Sequence, residues 1–123
     1  MQDFTSLERA VLAAICEAEP EQGVSVLRML SAAKVTGRDN TGHGFYTWFA
    51  VDHDDLPLQV GLLDGPVAHM SDMGPGMTMG FVLWFENGYP DCLEGYQNSN
   101  DNGETVDLKA RNLADLSFEK LEW

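Results

Sequence analysis

Basic side chains are scarce in this sequence. Seven lysines and arginines stand against twenty aspartates and glutamates among 123 residues, so the formal net charge is −13. The seven are scattered among carboxylates, whereas binding of a polyphosphate backbone depends on clustered lysine and arginine. We therefore expect no nucleic acid partner. A well-solvated acidic surface is the simplest explanation of the charge, and the alternatives are binding of metal cations or of a basic protein partner.

Cysteines and long apolar runs are also scarce. Cys16 and Cys92 lie far apart in the chain, which favours two reduced thiols over a disulfide framework. No apolar run approaches the length of a membrane span, and Asp3 stands where a secretory signal would have a basic flank. We expect a cytoplasmic protein without membrane contact. A length of 123 residues with 44% hydrophobic content suits a single domain over residues 1–123.

Residues 80–96 carry the clearest structural signal. Side chains alternate between two faces over residues 81–86, with the period of two that is typical of a strand. Asn87 and Gly88 follow, and both tolerate the positive φ angles of a tight type I′ turn. The segment therefore predicts a β-hairpin. Because Pro90 has no N–H to donate, the return strand is expected to begin at a sheet edge or with a bulge.

Two helices are predicted before the sheet. Thr5 and Glu8 have the spacing of a capping box, and Pro20 ends the apolar stripe that follows them. A second helix is predicted over residues 21–33, where apolar side chains keep helical spacing although Gly23 weakens the propensity. The short connection between them predicts an antiparallel helix pair.

Alternating patterns dominate the chain after residue 34. Residues 45–51 are apolar on both faces, which predicts a central strand, and residues 58–69 predict two short strands or one bent strand. Residues 97–104 are polar and predict a loop, and the apolar residues within 106–123 predict a tail that docks on the body as a strand or a helix. The predicted fold class is α+β, with the N-terminal helix pair packed on one face of a mainly antiparallel sheet.

Three segments carry a family resemblance. They are Thr-Gly-His-Gly-Phe at 41–45, Gly-Phe-Val-Leu-Trp-Phe at 80–85 and Leu-Glu-Gly-Tyr at 93–96. Together they resemble a group of small bacterial proteins of unknown function that have two N-terminal helices, a Thr-Gly-x-Gly-Phe strand and a Gly-Phe-x-Leu-Phe hairpin. The resemblance implies a stand-alone domain of this architecture. It implies no activity, cofactor or catalytic residue, and His43 departs from the apolar residue usual at that position.

Glu94 is the carboxylate for which structural and functional roles compete most directly. It alternates with Leu93, so it points away from the core if Leu93 points inward. In a concave sheet face it could serve as a general base or bind a donor group of a ligand. As a structural residue it would accept hydrogen bonds from the turn at 42–44, the more frequent role of a carboxylate near glycines. No Ser, Cys or His lies at motif spacing, so no catalytic residue is assigned.

Two segments match metal-binding patterns only in part. Residues 98–103 resemble the start of a calcium loop, but Lys109 stands at the twelfth position, where a bidentate glutamate is needed. His69 and four methionines between 70 and 79 could bind Cu(I), although methionine more often fills gaps in a core. The three histidines fall on separate segments. We expect no metal site and no cofactor.

The aromatic residues exceed what a single covered sheet face needs. If they cluster on an uncovered face, they form a binding surface, because Tyr and Trp supply contact area together with a polar group. The equally weighted alternative is a second apolar layer beneath the tail or at a homodimer contact. The aromatic set is Tyr46, Trp48, Trp84, Tyr89 and Tyr96, and the candidate binding residues are Trp48, Trp84, Tyr89, Glu94 and Tyr96.

Three functions follow from these observations. The first is a non-catalytic binding protein whose acidic, aromatic surface captures a basic protein partner, for example a bacterial immunity protein that neutralises a toxin. The second is a small enzyme or ligand-binding domain with Glu94 in a sheet-face pocket. The third is a structural homodimer. The net charge and the lack of a complete catalytic motif favour the first.

Overall fold

Two helices lie on one face of a seven-stranded antiparallel sheet. The computed structural model describes residues 3–123, and it confirms the α+β arrangement predicted from the sequence. Neither helix of this part of the chain is long and apolar enough to cross a membrane. The elements are α1 (Ser6–Ala18), α2 (Gly23–Ser31), β1 (Lys34–Asn40), β2 (Gly44–Ala50), β3 (Leu62–Asp64), β4 (Val67–Met70), β5 (Thr78–Glu86), β6 (Tyr89–Asn98) and β7 (Phe118–Glu122).

The start of α1 is the predicted capping box. The Thr5 hydroxyl accepts from the Glu8 N–H at 3.1 Å, and the Glu8 carboxylate accepts from the Thr5 N–H at 2.8 Å. The same carboxylate is buried and also accepts from Arg38 of β1 and Thr47 of β2. Burial by itself would raise the pKa of Glu8, but these hydrogen bonds and the Arg38 charge leave its pKa lowered. Glu8 therefore joins the helix cap to the sheet.

The second helix is shorter than the sequence predicted. It spans Gly23–Ser31, two residues inside each predicted end. Residues 19–22 form a turn instead, in which the Gly23 N–H donates to the Glu19 carbonyl at 2.9 Å. No side chain caps this helix at Gln22, and its stability depends on burial of Val26, Met29 and Leu30.

The predicted hairpin is confirmed and forms the middle of the sheet. The strand order is β1-β2-β6-β5-β4-β7, and β3 pairs with β5 beside β4. Asn87 and Gly88 have φ angles of 53° and 86°, as the turn requires. Cys92 pairs with Trp84 and Pro90 pairs with Phe85, so Asp91 is an extra residue between them. The predicted bulge near Pro90 is therefore present, and β6 is a central strand rather than an edge.

The core lies between the helices and one face of the sheet. Leu7, Val11 and Ile15 of α1 share a buried cluster with Phe81 and Leu83 of β5, which is the packing that the predicted layer arrangement requires, and the half-buried Phe85 packs against this cluster. The methionine-rich segment joins this cluster, which confirms its interpretation as core packing. The buried members are Met70, Met73, Met77 and Met79.

The remaining segments agree in part with the sequence predictions. Residues 58–69 contain two short strands, β3 and β4, on either side of Gly65 and Pro66. The tail docks through two short 3-10 turns and through β7, which pairs with β4. The sequence did not predict β1, because this edge strand is polar and mostly exposed and contains Gly37, Asp39 and Asn40.

Candidate functional site

The face of the sheet opposite the helices, termed the outer face, carries aromatic and acidic side chains. Along β2, Phe45, Thr47 and Phe49 point into the core, so Tyr46 and Trp48 point outward. The outward residues of the next two strands are Cys92, Glu94 and Tyr96 in β6 and Val82, Trp84 and Glu86 in β5. The three central strands thus place most of the predicted binding residues on one surface.

Two tryptophans and a cysteine form a row across this surface. Cys92 pairs with Trp48 on one side and with Trp84 on the other. Trp48 and Trp84 remain 41% and 39% exposed, whereas Cys92 is 1% exposed. They share a cavity of about 440 Å³, termed the outer cavity, within the size range of small-ligand pockets. The outer cavity is lined by Tyr46, Trp48, Trp84, Phe85, Glu86, Asp91, Cys92 and Glu94.

Each of these indoles is held by a carboxylate on a neighbouring strand. Trp84 Nε1 donates to Glu94 Oε1 at 2.9 Å, and Trp48 Nε1 donates to Asp39 Oδ2 at 2.9 Å. The Tyr46 ring stacks on Trp48 with a centroid separation of 6.2 Å. These contacts restrict the ring orientations while leaving ring surface exposed. The cavity walls are therefore substantially organised before any ligand arrives.

The electrostatic potential at the outer cavity is negative. The charge of Glu94, followed by desolvation and hydrogen bonding with Glu94, raises the pKa of Tyr46. Burial, followed by the charges of Asp91, Glu94 and Asp39, raises the pKa of Cys92 to about 12. Burial, followed by a hydrogen bond with Glu86 and its charge, raises the pKa of Asp91. Burial is the largest cause for Cys92 and Asp91, and neighbouring carboxylates raise the pKa of all three groups further, as expected where carboxylates are close together.

No basic side chain of residues 3–123 lines the outer cavity. Several are committed to carboxylates elsewhere, as in the pairs Arg28–Asp55 at 3.1 Å and Arg38–Glu8 at 2.7 Å. Within the same residues, the ion pairs formed by lysine, arginine and histidine include none of the four carboxylates at or beside the cavity. These four are Asp39, Glu86, Asp91 and Glu94. Residues 3–123 thus supply no ion-pair partner for this negative charge.

The structure brings together three of the five candidate binding residues. Trp48, Trp84 and Glu94 line the outer cavity. Tyr96 belongs to the same face but lies outside the lining, because its ring covers Gly80 of β5, where a Cβ would come within 2.5 Å of the ring. Tyr89 lies apart at the end of the hairpin.

Two of these residues make contacts that the sequence did not predict. Tyr89 stacks on His53 with a centroid separation of 3.8 Å and donates to the Asp55 carbonyl at 2.8 Å. Its ring and its hydroxyl group therefore both contact the loop after β2. Glu94 does not hold the turn at residues 42–44 as the structural interpretation predicted, since its carboxylate accepts from Trp84 on the outer face. The side chains that donate to this turn are those of Gln97, at 3.1 Å to the His43 carbonyl, and Thr41, at 3.0 Å to the Gly44 carbonyl.

Sequence reasoning missed four residues of the site. Cys92, Glu86 and Asp91 lie on the predicted hairpin, and the alternation through Trp84 and Glu94 places Glu86 and Cys92 on the same face as these two. Asp39 was not detectable in this way, because it belongs to the unpredicted edge strand β1.

Residues of the partial metal motifs form hydrogen bonds within the protein. In the polar loop, Asn100 Oδ1 accepts from the N–H groups of Asn102 and Glu104 at 3.0 and 2.9 Å. His69 contacts Glu122 at 3.1 Å across the β4–β7 pair. Within the described part of the chain, no group of three or more His, Cys, Asp or Glu side chains is placed to hold a metal ion.

Comparisons of this chain with protein-family models, with curated proteins and with solved structures found no match. The resemblance to small bacterial proteins therefore stays a prediction. The geometry and charge of the outer cavity are the observations from which a function can be argued.

Proposed function

We propose that this protein is a non-catalytic binding protein that captures a basic protein partner through its outer face. One observation carries the proposal, namely an open cavity in which two exposed indoles are each anchored to a carboxylate. Tryptophan and tyrosine dominate the binding energy of many protein interfaces, particularly where they are fixed before binding. The outer face has this composition.

Charge selects the kind of partner. The carboxylates at the outer cavity have no basic partner within residues 3–123, and the chain carries a net charge of −13. A basic surface would supply the missing cations and would be steered to the site over long range. A second copy of this chain would instead bring two acidic cavities together, and such juxtaposition of like charges is unfavourable. A basic protein is thus favoured over the homodimer. Neutralisation of a bacterial toxin is one function that such capture could serve.

The chemistry of the cavity supports binding more than catalysis. The Cys92 thiol is buried, and its pKa is raised to about 12, so it stays protonated at neutral pH and is a weak nucleophile. Glu94 accepts a hydrogen bond from Trp84, which suits an anchoring carboxylate. The alternative of a small enzyme or ligand-binding domain keeps one supporting observation, because Glu94 does line a cavity.

Affinity purification from extract of the native cell tests the proposal. Immobilised wild-type protein is compared with Trp84→Ala and Glu94→Gln at low and at high salt. The expected result is recovery of one protein with a basic isoelectric point at low salt, less recovery at high salt, and loss of recovery with both variants. The matched controls are Trp123→Ala, which removes an indole that is 66% exposed outside the cavity, and Glu119→Gln on β7.

Two outcomes would contradict the proposal. One is recovery that is equal for the wild type and both cavity variants, which would place binding elsewhere on the protein. The other is the absence of any captured basic protein together with turnover of a small substrate that Glu94→Gln abolishes. The second outcome would favour the enzyme alternative.

A further inference from the structure

We propose that the outer cavity receives one arginine side chain of the partner, with its guanidinium group above Cys92 and between Trp48 and Trp84. This inference rests on the proposed function, because it names the chemical group that the outer face recognises. It depends on the spacing of the two indoles, on the positions of the carboxylates and on the apolar surface that Cys92 forms at the bottom of the cavity.

The spacing of the indoles suits a planar cation. Trp48 and Trp84 occupy the same row on β2 and β5, and β6 with Cys92 lies between them. Neighbouring strands are about 4.8 Å apart, so the two tryptophan Cα atoms lie roughly 10 Å apart. A cation centred above Cys92 is therefore about 5 Å from each strand. Cation–π attraction acts within about 6 Å of a ring centroid, and the two indoles line the outer cavity on either side of this position, so a planar cation there is placed between them.

The carboxylates bracket this position along the strands. Glu94 lies two residues beyond Cys92 on β6, in the direction away from the hairpin turn. Glu86 lies two residues beyond Trp84 on β5, in the direction toward that turn. Asp91, the extra residue of the bulge, lies on the side of Glu86. Successive outward residues of a strand are roughly 7 Å apart. A group that donates hydrogen bonds from several edges can therefore reach carboxylates on both sides of the row.

Guanidinium suits this arrangement better than an ammonium group. Arginine presents five N–H donors in one plane and stacks on aromatic faces, while the lysine ammonium is a compact and strongly hydrated point charge. The Glu94 carboxylate offers about four lone-pair sites, so capacity for further donors remains after the Trp84 indole has donated to it. The carboxylates on both sides of the row thus match the donor pattern of arginine.

The floor of the cavity also favours a weakly hydrated cation. Cys92 is 1% exposed, and its thiol is neutral at pH 7 because its pKa is raised to about 12. The floor of the cavity at Cys92 is therefore apolar. An arginine loses less hydration than a lysine when it is placed on such a surface. A carboxylate fixed on the indole N–H also directs negative charge toward the ring.

Indole N–H resonances provide a direct test with a built-in control. The chain has three tryptophans, and Trp123 lies outside the cavity lining. ¹⁵N-labelled protein is titrated with the peptides acetyl-Gly-Ser-Xaa-Ser-Gly-amide, in which Xaa is arginine, lysine or trimethyl-lysine. With the arginine peptide we expect saturable shifts of the Trp48 and Trp84 indole signals and none of Trp123. Binding of the lysine peptide is expected to be about fivefold weaker.

Two variants distinguish binding at the outer cavity from nonspecific attraction of a basic peptide to an acidic protein. Glu94→Gln is expected to weaken binding of the arginine peptide several-fold. Glu119→Gln on β7 makes the same charge change outside the cavity and is expected to leave binding unchanged. Unchanged backbone spectra away from the substituted residue establish that both variants are folded. Equal weakening by both variants would contradict recognition at the outer cavity.

The remaining outcomes distinguish this inference from the proposed function. Equal affinity for arginine and lysine, or tighter binding of trimethyl-lysine, would overturn the arginine inference. So would the absence of indole shifts with all three peptides. If the basic partner is nevertheless captured through Trp84 and Glu94, the proposed function stands without the arginine. If neither the peptides nor a basic protein binds, both proposals fail.

Discussion

Glu8 and Arg38 form an ion pair of 2.7 Å that links the first turn of α1 to the edge strand β1. Glu8 is 1% exposed, and Arg38 also donates to the Asp3 carbonyl at 3.0 Å. A residue that the sequence identified only as part of a helix cap is thus also the buried partner of a strand. This double role makes the pair a sensitive point for the stability of the fold.

Replacing Arg38 is expected to destabilise the protein strongly. Arg38→Met leaves the buried Glu8 carboxylate without its cation, and we expect a loss of about 3 kcal/mol in the free energy of unfolding. Lys120→Met is the control, because the Lys120–Glu122 pair is exposed and should contribute less than about 1 kcal/mol. Urea unfolding at pH 7 measures both. A loss for Arg38→Met no larger than that of the control would show that Glu8 does not depend on this pair.

Glu8 is also expected to make stability depend on pH. Its pKa is lowered in the folded state from the ordinary value of 4.5, so the unfolded chain takes up a proton at Glu8 at a higher pH than the folded chain. The stability that Glu8 contributes is therefore complete above about pH 4.5 and is lost as the pH falls from there through the lowered folded pKa.

Comparison with Glu8→Gln isolates this effect from that of the other carboxylates. Urea unfolding of both proteins between pH 3 and pH 7 should give a difference in unfolding free energy that is largest at neutral pH and shrinks below pH 4.5. A difference that stays constant over this range would contradict the lowered pKa.

Asp91→Asn is expected to stabilise the protein while weakening partner binding. Burial and the neighbouring Glu86 raise the pKa of Asp91 in the folded state, so its ionisation at neutral pH opposes folding. Because this disadvantage appears as the pH rises through the raised folded pKa, the stabilisation should be present at pH 7 and absent in acid. After allowance for solvent screening we expect a few tenths of a kcal/mol. Asp101→Asn in the exposed polar loop is the matched control, with no expected change in either property.

The two cysteines are expected to resist alkylation in the folded state. Burial raises the pKa of Cys16 to about 11, and burial with the nearby charges raises that of Cys92 to about 12. Iodoacetamide at pH 8 should therefore modify neither thiol quickly in the wild type. Trp84→Ala should speed modification of Cys92 and leave Cys16 unchanged, because Trp84 flanks only Cys92. Mass spectrometry of tryptic peptides measures both rates, and equal acceleration at both thiols would indicate general unfolding instead.

The sequence predicted the parts of the fold that local patterns determine. Alternation through Trp84 and the Asn87-Gly88 pair specified the hairpin, and Thr5 with Glu8 specified the start of α1. Because alternation also assigns faces, Glu94 was correctly placed opposite to Leu93. Local periodicity was thus sufficient for the central strands and the first helix.

Contacts between distant segments were not predictable in this way. The loop that holds Tyr89 is placed by stacking of His53 on it, and nothing in the local sequence indicates this contact. Asp39 belongs to an edge strand whose exposed, polar residues lack the pattern of a strand. Alternation and residue type thus singled out Trp48, Trp84 and Glu94 of the cavity lining, whereas the contact of Trp48 with Asp39 depends on a strand pairing that local patterns do not indicate.

The extra residue at Asp91 bears on how the length of this chain can change during evolution. Pro90 pairs with Phe85 and Cys92 pairs with Trp84, so Asp91 is accommodated by the bulge without changing the faces of the residues on either side of it. Deleting the codon for Asp91 would remove the bulge, restore regular pairing and leave Cys92, Glu94 and Tyr96 on the outer face. Relatives that keep the outer face can therefore lack one residue between Tyr89 and Cys92, and the loop around Gly103 is also free to vary in length.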